Sequence, residues 1–281
     1  VPLPDLRIAQ ALLVVSPREV RVAAQSDDLD AAEAERIAVL FGIPPSGVAF
    51  PLAHFAQPFG RRHVAVVQVT DPPGTPEWTF RFLVLSADLY RHLGDPFAVA
   101  DRFPPDWSVR GPLPVLEWPP EPLPPRTTTE LQDVLKACDP ATEEMALLLG
   151  STQVLVDGGR VQLLRPEPAE RFLRALWKLL PHKARAGLWP ASFVFGPGLH
   201  FDAAVRPMLW PGEAGVRLTE DGLKGYPQGN YESRLQAAVE AGDDRELAAL
   251  LARRTGDDTL RIGLTIIAAA LLAAVAFKVL G

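Results

Sequence analysis

Apolar positions recur first at strand spacing and then at helix spacing, and they divide the chain into short elements. Alternating or continuous apolar runs predict strands at 7–15 and 20–25, joined through Ser16-Pro17. A second pair is predicted at 63–70 and 79–86, separated by Asp71-Pro72-Pro73-Gly74. Between these pairs Ala34, Ile37, Ala38 and Phe41 fall on one face at i, i+3, i+4 and i+7. That spacing predicts a helix over 30–41, capped by Asp27 or Asp28 and ended by Gly42. Short helices are expected at 87–93 and 97–102.

From 110 to 126 the periodicity stops. Pro112, Pro114, Pro119, Pro120, Pro122, Pro124 and Pro125 remove backbone donors and fix φ, which predicts a PPII-like connector rather than a helix or central strand. Val115 and Trp118 are suited to pack on the protein, a better use of the segment than display to a proline-reading domain. Beyond it, Thr127 with Glu130 forms a capping box for a helix over 127–137. Asp139-Pro140 starts another, expected to close at Gly150. Apolar residues at 154–156 and 161–163 flank Asp157-Gly158-Gly159 and predict a hairpin. A helix over 169–180 turns Phe172, Leu176, Leu179 and Leu180 inward and is stopped by Pro181; a strand is expected at 189–195. Helices at 230–241 and 243–254 follow, separated by Gly242, with Asp243 and Glu246 repeating the capping box.

The last apolar segment is of another kind. Residues 262–280 are apolar around the whole helix circumference except for Thr265 and Lys278. About twenty helical residues at ~1.5 Å each span a hydrocarbon layer of ~30 Å. The hydroxyl of Thr265 can bond a backbone carbonyl, and Lys278 can reach the headgroups through its stem. The residues that would meet lipid are Ile262, Leu264, Ile266, Ile267, Leu271, Leu272, Val275, Phe277 and Leu280. Arg253, Arg254 and Arg261 precede the span, whereas only Lys278 lies at its far end, so the bias places the N-terminal part in the cytoplasm. The apolar N-terminal run is read as a strand, since Asp5 and Arg7 sit early and no small-residue cleavage pattern follows. The expected fold is therefore α+β with two small mixed units: an N-terminal domain at 1–109, a Pro-rich linker at 110–126 and a middle domain at 127–212. A helical juxtamembrane stalk at 213–258 and a single-pass transmembrane anchor at 259–281 complete it.

Composition narrows the chemistry. A net charge of −6 without any Lys/Arg-rich run argues against a nucleic-acid partner. Cys138 is the only cysteine, which excludes an intramolecular disulfide and a multi-cysteine zinc site; Leu131, Val134 and Leu135 share its helix face, so it is expected to line a core. His54, His63, His92, His182 and His200 are scattered, none at the i, i+4 spacing of a helical zinc site. Asp27-Asp28, Glu143-Glu144 and Asp243-Asp244 stand at predicted helix starts, where they offset the dipole. No phosphate-cradling glycine loop or G-x-S-x-G elbow occurs. The sequence thus points to no catalytic, cofactor-binding or metal-ligating residue.

Two stretches carry a resemblance. The first contains Val20-Arg21-Val22-Ala23-Ala24-Gln25-Ser26-Asp27-Asp28-Leu29 and the helix over 33–40. It continues with Arg61-Arg62-His63-Val64-Ala65-Val66-Val67-Gln68, Phe82-Leu83-Val84-Leu85 and Asp95-Pro96-Phe97. The second contains Leu176-Trp177-Lys178-Leu179-Leu180-Pro181, Arg185 and Leu188-Trp189-Pro190-Ala191-Ser192-Phe193. In order of elements these resemble the N-terminal and middle domains of bacterial GTPase-associated proteins, over roughly residues 20–205. The resemblance implies a scaffold or adaptor working beside a GTPase in a bacterial signalling or conflict system, and it assigns no functional residue. The expected function is a non-enzymatic, membrane-tethered adaptor for a protein partner. A membrane-bound hydrolase with a dispersed site is the rival. A module that oligomerises through Ala268, Ala269, Ala270, Ala273 and Ala274 of the anchor is a third reading.

Overall fold

A single mixed sheet runs through the protein, built from strands on both sides of the proline-rich segment. The computed structural model describes residues 5–27, 29–45, 48, 50–71, 77–208, 220–226 and 230–252. The first half contributes β1 (Arg7–Val15), β2 (Val20–Gln25), α1 (Ala31–Phe41), β3 (Ala53–Phe59), β4 (His63–Thr70), β5 (Trp78–Ser86), α2 (Ala87–Leu93) and α3 (Pro96–Arg102). The proline-rich segment adds two short pairings, β6 (Gly111–Pro112) and β7 (Leu116–Glu117). The second half supplies α4 (Thr128–Lys136), α5 (Glu144–Val156), β8 (Val161–Leu164), α6 (Glu170–Leu179), α7 (His182–Arg185), β9 (Pro190–Ala191) and β10 (Ala203–Arg206). The helices α8 (Glu220–Lys224), α9 (Asn230–Ala241) and α10 (Asp244–Leu251) follow.

The strand order is β6-β2-β1-β5-β4-β3-β9-β10-β8, with β7 pairing the start of β1 beyond the end of β2. Strands β2, β1, β5, β4 and β3 are antiparallel neighbours, whereas β9, β10 and β8 run parallel to one another. Strand β5 is buried along almost its whole length because both faces of the sheet are covered. On one face Ala11, Leu13, Phe55, Val67, Phe80 and Phe82 meet Ile37 and Phe41 of α1. The Phe41 ring packs on Phe55, Phe80 and Phe195 at centroid distances of 5.4, 5.2 and 5.4 Å. On the other face Ile8, Val64, Val66, Leu83 and Leu85 lie under Leu89 and Leu93 of α2, Val99 of α3 and Trp118 of the proline-rich segment.

The expected boundary at 110–126 does not divide the sheet or its main core. Core residues from β1 through α10 form one contiguous cluster. The proline-rich segment is a strap on the sheet edge. Leu113 N–H donates to Gln25, and Trp118 N–H donates to Leu6. The carbonyl of Pro114 accepts from Gln10 Nε2 at 2.8 Å and from Ser26 Oγ at 3.2 Å. Nor do the last helices form a separate stalk: Leu223, Tyr231, Leu235, Val239, Leu247, Leu250 and Leu251 are buried in the same core, and Asp244 Oδ1 accepts from Thr128 N–H.

Several local expectations are corrected. The cap of α1 is Asp30, whose carboxylate accepts from Ala32 and Glu33, rather than Asp27 or Asp28. The predicted hairpin at 154–163 does not form. Helix α5 continues through Gly150 to Val156, and Asp157-Gly158-Gly159 ends it, Gly159 N–H donating to Val154. A glycine in the left-handed region serves a hairpin turn and a helix C-terminus equally well, and Gly158 has φ 82°. The freed strand β8 pairs with β10 instead. Of the strand expected at 189–195 only Pro190–Ala191 joins the sheet. Beyond it Ser192 bonds His54, and Phe195 and Gly196 donate to Phe41, so the chain turns to wrap the end of α1. The strand β3, between β4 and β9, was not expected; buried His54 and Gln57 and the late Pro58 break its apolar pattern.

Gly150 sits where α5 crosses α8, and a Cβ there would lie 1.8 Å from the carbonyl oxygen of Leu223. Helix propensity alone favours alanine by about 1 kcal/mol, but overpacking against backbone costs more because backbone cannot rotate away. Gly150→Ala is therefore expected to destabilise the protein by about 2–4 kcal/mol, read as a lower urea midpoint for the full chain in mild detergent. An unchanged midpoint would count against this crossing.

Candidate functional site

The face of the sheet beneath α2 and α3 changes character along its strands. Next to the apolar group around Leu83 and Val66, the neighbouring strands β1, β5, β4 and β3 present Gln10, Arg81, Gln68 and His54, all buried. Gln68 lies directly opposite Arg81 on one side and His54 on the other, which brings the three side chains together. Gln10 stands two residues from the partner of Arg81, at diagonal reach.

Arg81 sets the direction of every hydrogen bond in this row. Its side chain donates to Gln68 Oε1 at 3.1 Å, to Gln10 Oε1 at 2.9 Å and to the carbonyl of Phe103. A guanidinium has only donors, so Gln68 must face it with oxygen and turn its NH2 to His54, whose Nε2 is 3.4 Å away. His54 Nε2 is then the acceptor, and the proton of a neutral imidazole sits on Nδ1. Nδ1–H in turn donates to Glu170 Oε2 at 2.8 Å. Arg174 Nε donates to the other Glu170 oxygen at 2.6 Å, and its Nη1 and Nη2 clasp both oxygens of Asp101 at 2.7 and 2.9 Å. Burial pulls the Arg81 guanidinium down to about 10. Burial also works against the ionised Glu170 carboxylate, but the bonds from His54 and Arg174 outweigh it and hold the group below its ordinary value.

The row ends at a cleft of about 610 Å³ between α3, α4 and α6, within the usual size range of ligand sites. Phe97 and Ala98 of α3, Val134 of α4, Ala137 at its end and Ala175 of α6 form its apolar lining. Asp95, Asp101, Glu170, Arg171, Arg174 and Lys178 form its polar walls. The Arg174 guanidinium also lies 5.0 Å above the Phe97 ring. Helix α6 is tied to α3 through Arg174–Asp101 and to α4 through Lys178–Glu130 at 2.8 Å. Its C-terminal carbonyls are closed from beneath. Arg126 of the strap donates to Lys178 and Leu180 at 2.5 and 2.6 Å, and Tyr231 Oη donates to Leu179 at 2.6 Å. Asp95, which caps α3, also accepts from buried Arg185 at 3.1 Å.

The other residues singled out in the sequence lie apart from this cleft. Cys138 packs against the main core, where burial and then Glu144 raise its thiol. The His182 ring packs over Gly94 at the end of α2, and burial, then Arg185 and Arg126, hold its imidazole below the ordinary value. His63, His92 and His200 are exposed. Among the described residues no cluster of three metal-ligating side chains occurs, and no helix is long and apolar enough to cross a membrane. The predicted anchor residues, Ile262 to Leu280, lie outside the described residues. Sequence patterning did not find the polar row, although a histidine and two glutamines within the apolar runs at 53–59, 63–70 and 7–15 were its signal.

Two outcomes follow from the row. In ¹⁵N spectra of histidine-labelled protein, the neutral form of His54 is expected to carry its proton on Nδ1 with Nε2 bare; the reverse assignment would mean that Gln68 is oriented the other way. Glu170, with a depressed pKa in the folded state, contributes stability that is complete above the unfolded carboxylate value and is lost as pH falls through the folded value. Glu170→Gln should cost about 1–3 kcal/mol at neutral pH and flatten the fall in stability below about pH 4.5. Parallel stability–pH curves for the two proteins would contradict this.

No protein-family model matches the chain, and no curated protein shows significant similarity to its sequence.

Proposed function

We propose that the protein is a non-enzymatic adaptor, tethered to a membrane by residues 262–280, that docks a protein partner in the cleft between α3, α4 and α6. The observation that carries this reading is the make-up of the cleft: an apolar lining between charged walls whose carboxylates are already engaged within the protein. Such a surface suits the burial of a partner's apolar side chains, with orientation supplied by the rim. The resemblance to bacterial GTPase-associated proteins makes a GTPase the expected partner, and the apolar span adds membrane lipid as the second contact. Tethering confines the adaptor to a surface and raises its effective concentration there.

A histidine hydrogen-bonded to a carboxylate beside a cleft also invites the rival reading of a hydrolase. In a catalytic pair the carboxylate orients the histidine and the outer nitrogen faces substrate. Here the order is reversed, with the carboxylate of Glu170 on the cleft and His54 Nε2 turned inward to Gln68. That geometry favours a fixed wall over a general base.

Ala137 is exposed and lines the cleft, so Ala137→Trp fills it without disturbing the core. The unchanged chain is expected to recover a reproducible partner from native membranes and to resist carbonate extraction. The variant is expected to stay in the membrane but lose at least about ten times in partner recovery, equivalent to about 1.4 kcal/mol. Equal recovery by both proteins would remove the cleft from the proposal, and release by carbonate would remove the tether.

A further inference from the structure

The carboxylates facing the cleft are all engaged by the protein itself. Asp95 accepts from the amides of Phe97 and Ala98 on one oxygen and from Arg185 on the other. Asp101 gives one oxygen to each terminal nitrogen of Arg174, and Glu170 is shared between Arg174 and His54. The donors are not used up in the same way. Arg171 donates to the carbonyl of Ala137 and approaches Glu144 only at 3.8 Å, and its side chain is 70% exposed. Lys178 gives one N–H to Glu130 and is 41% exposed, which leaves two of its donors to solvent. Exposed pairs of this kind are weak and readily exchanged. What the cleft still offers a ligand is N–H, at two points on either side of an apolar centre.

Those points have a defined spacing. Arg171 and Lys178 are seven residues apart on α6, which is two helical turns or about 10 Å along the axis. Val134, Ala137 and Ala175 lie on the lining between them. We propose that the cleft takes an amphipathic helix of a protein partner whose acidic residues stand at i and i+7 and flank apolar residues at i+3 and i+4. This rests on the adaptor reading and names the chemistry of its partner. The two carboxylates meet Arg171 and Lys178, and the apolar pair, which lies on the same helical face, fills the floor. A basic helix meets carboxylates that each already hold a cationic or histidine partner within the protein, so it must compete for them.

The test uses the purified full chain in neutral detergent and fluorescein-labelled, alanine-based helical peptides, with anisotropy as the readout. A peptide with Glu at i and i+7 and Leu at i+3 and i+4 is expected to bind. Moving the second Glu to i+5, off the common face, should weaken binding at least about tenfold. The double variant Arg171→Glu, Lys178→Glu should lose the acidic peptide and gain the counterpart with Lys at both positions. The reversal loses exposed contacts to Glu130, Glu144 and the Ala137 carbonyl, so its urea midpoint should fall modestly while the cooperative unfolding of the parent is kept. Preference of the parent for the Lys peptide, indifference to the charge reversal, or binding of neither peptide would overturn the assignment. So would concentration-dependent sedimentation lost on charge reversal, which would make a second copy of the chain the occupant. If the reversed variant still recovers a partner from native membranes, the acidic helix falls and the adaptor reading stands. If the parent recovers none, both fall.

Discussion

A guanidinium inside a sheet that is covered on both faces constrains everything near it. Arg81 is only 7% exposed, and its three acceptors are the neutral oxygens of Gln68, Gln10 and Phe103. Removing such a charge from water costs several kcal/mol, and hydrogen bonds to neutral groups recover part of it only where their acceptors are held in place. The surrounding side chains have therefore lost their freedom to rotate. Gln68 has one allowed orientation, His54 one proton position and Glu170 one protonation state, each following from the last. The carboxylate of Glu170 closes this chain of bonds at its far end, on the cleft.

The same accounting of donors and acceptors explains how a proline-rich segment can serve as structure. Proline has a carbonyl and no N–H, so a run of prolines carries spare acceptors. The sheet edge carries spare side-chain donors, Gln10 Nε2 and Ser26 Oγ, and both end on the carbonyl of Pro114. At the other end of the strap the sense is reversed. Arg126 supplies donors to the carbonyls that α6 cannot satisfy for itself. The segment thus joins the two halves of the chain by complementing what each lacks, and one sheet with one main core results.

Elements marked by an unbroken apolar run, a clear helix face or a capping residue were legible in the sequence. The strands at 7–15, 20–25 and 63–70, helix α9 and the caps Thr127 and Asp243 stand where periodicity and cap chemistry place them. The failures have separate causes. Helix α5 is buried around most of its circumference from Leu147 to Leu155, so it has no 3.6-residue rhythm, and Gly150 within it reads as a terminus. Strand β3 fails for another reason: buried His54, which the row requires, and buried Gln57 on the opposite face look like solvent-facing positions. The row itself joins Gln10, His54, Gln68, Arg81 and Glu170, which lie far apart in sequence. Only the register of four strands and the docking of α6 bring them together.

The cleft inherits its character from this arrangement. Had Glu170 and Asp101 been free, the pocket would present acceptors and donors alike and would discriminate little between acidic and basic partners. Because His54 and Arg174 hold Glu170, and Arg174 holds Asp101, the proposed reading gives specificity to Arg171 and Lys178. Those two contacts are exposed, and exposed charges contribute about 1 kcal/mol or less each, so on the proposed reading the cleft alone binds weakly. Confinement of both partners to one membrane converts such an encounter into a nearly intramolecular one, with a gain of about 10²–10⁴ in avidity without any new contact. On that reading a charge-filtered cleft and a lipid tether are complementary: the first would select, and the second would supply the strength that selection by two surface cations cannot.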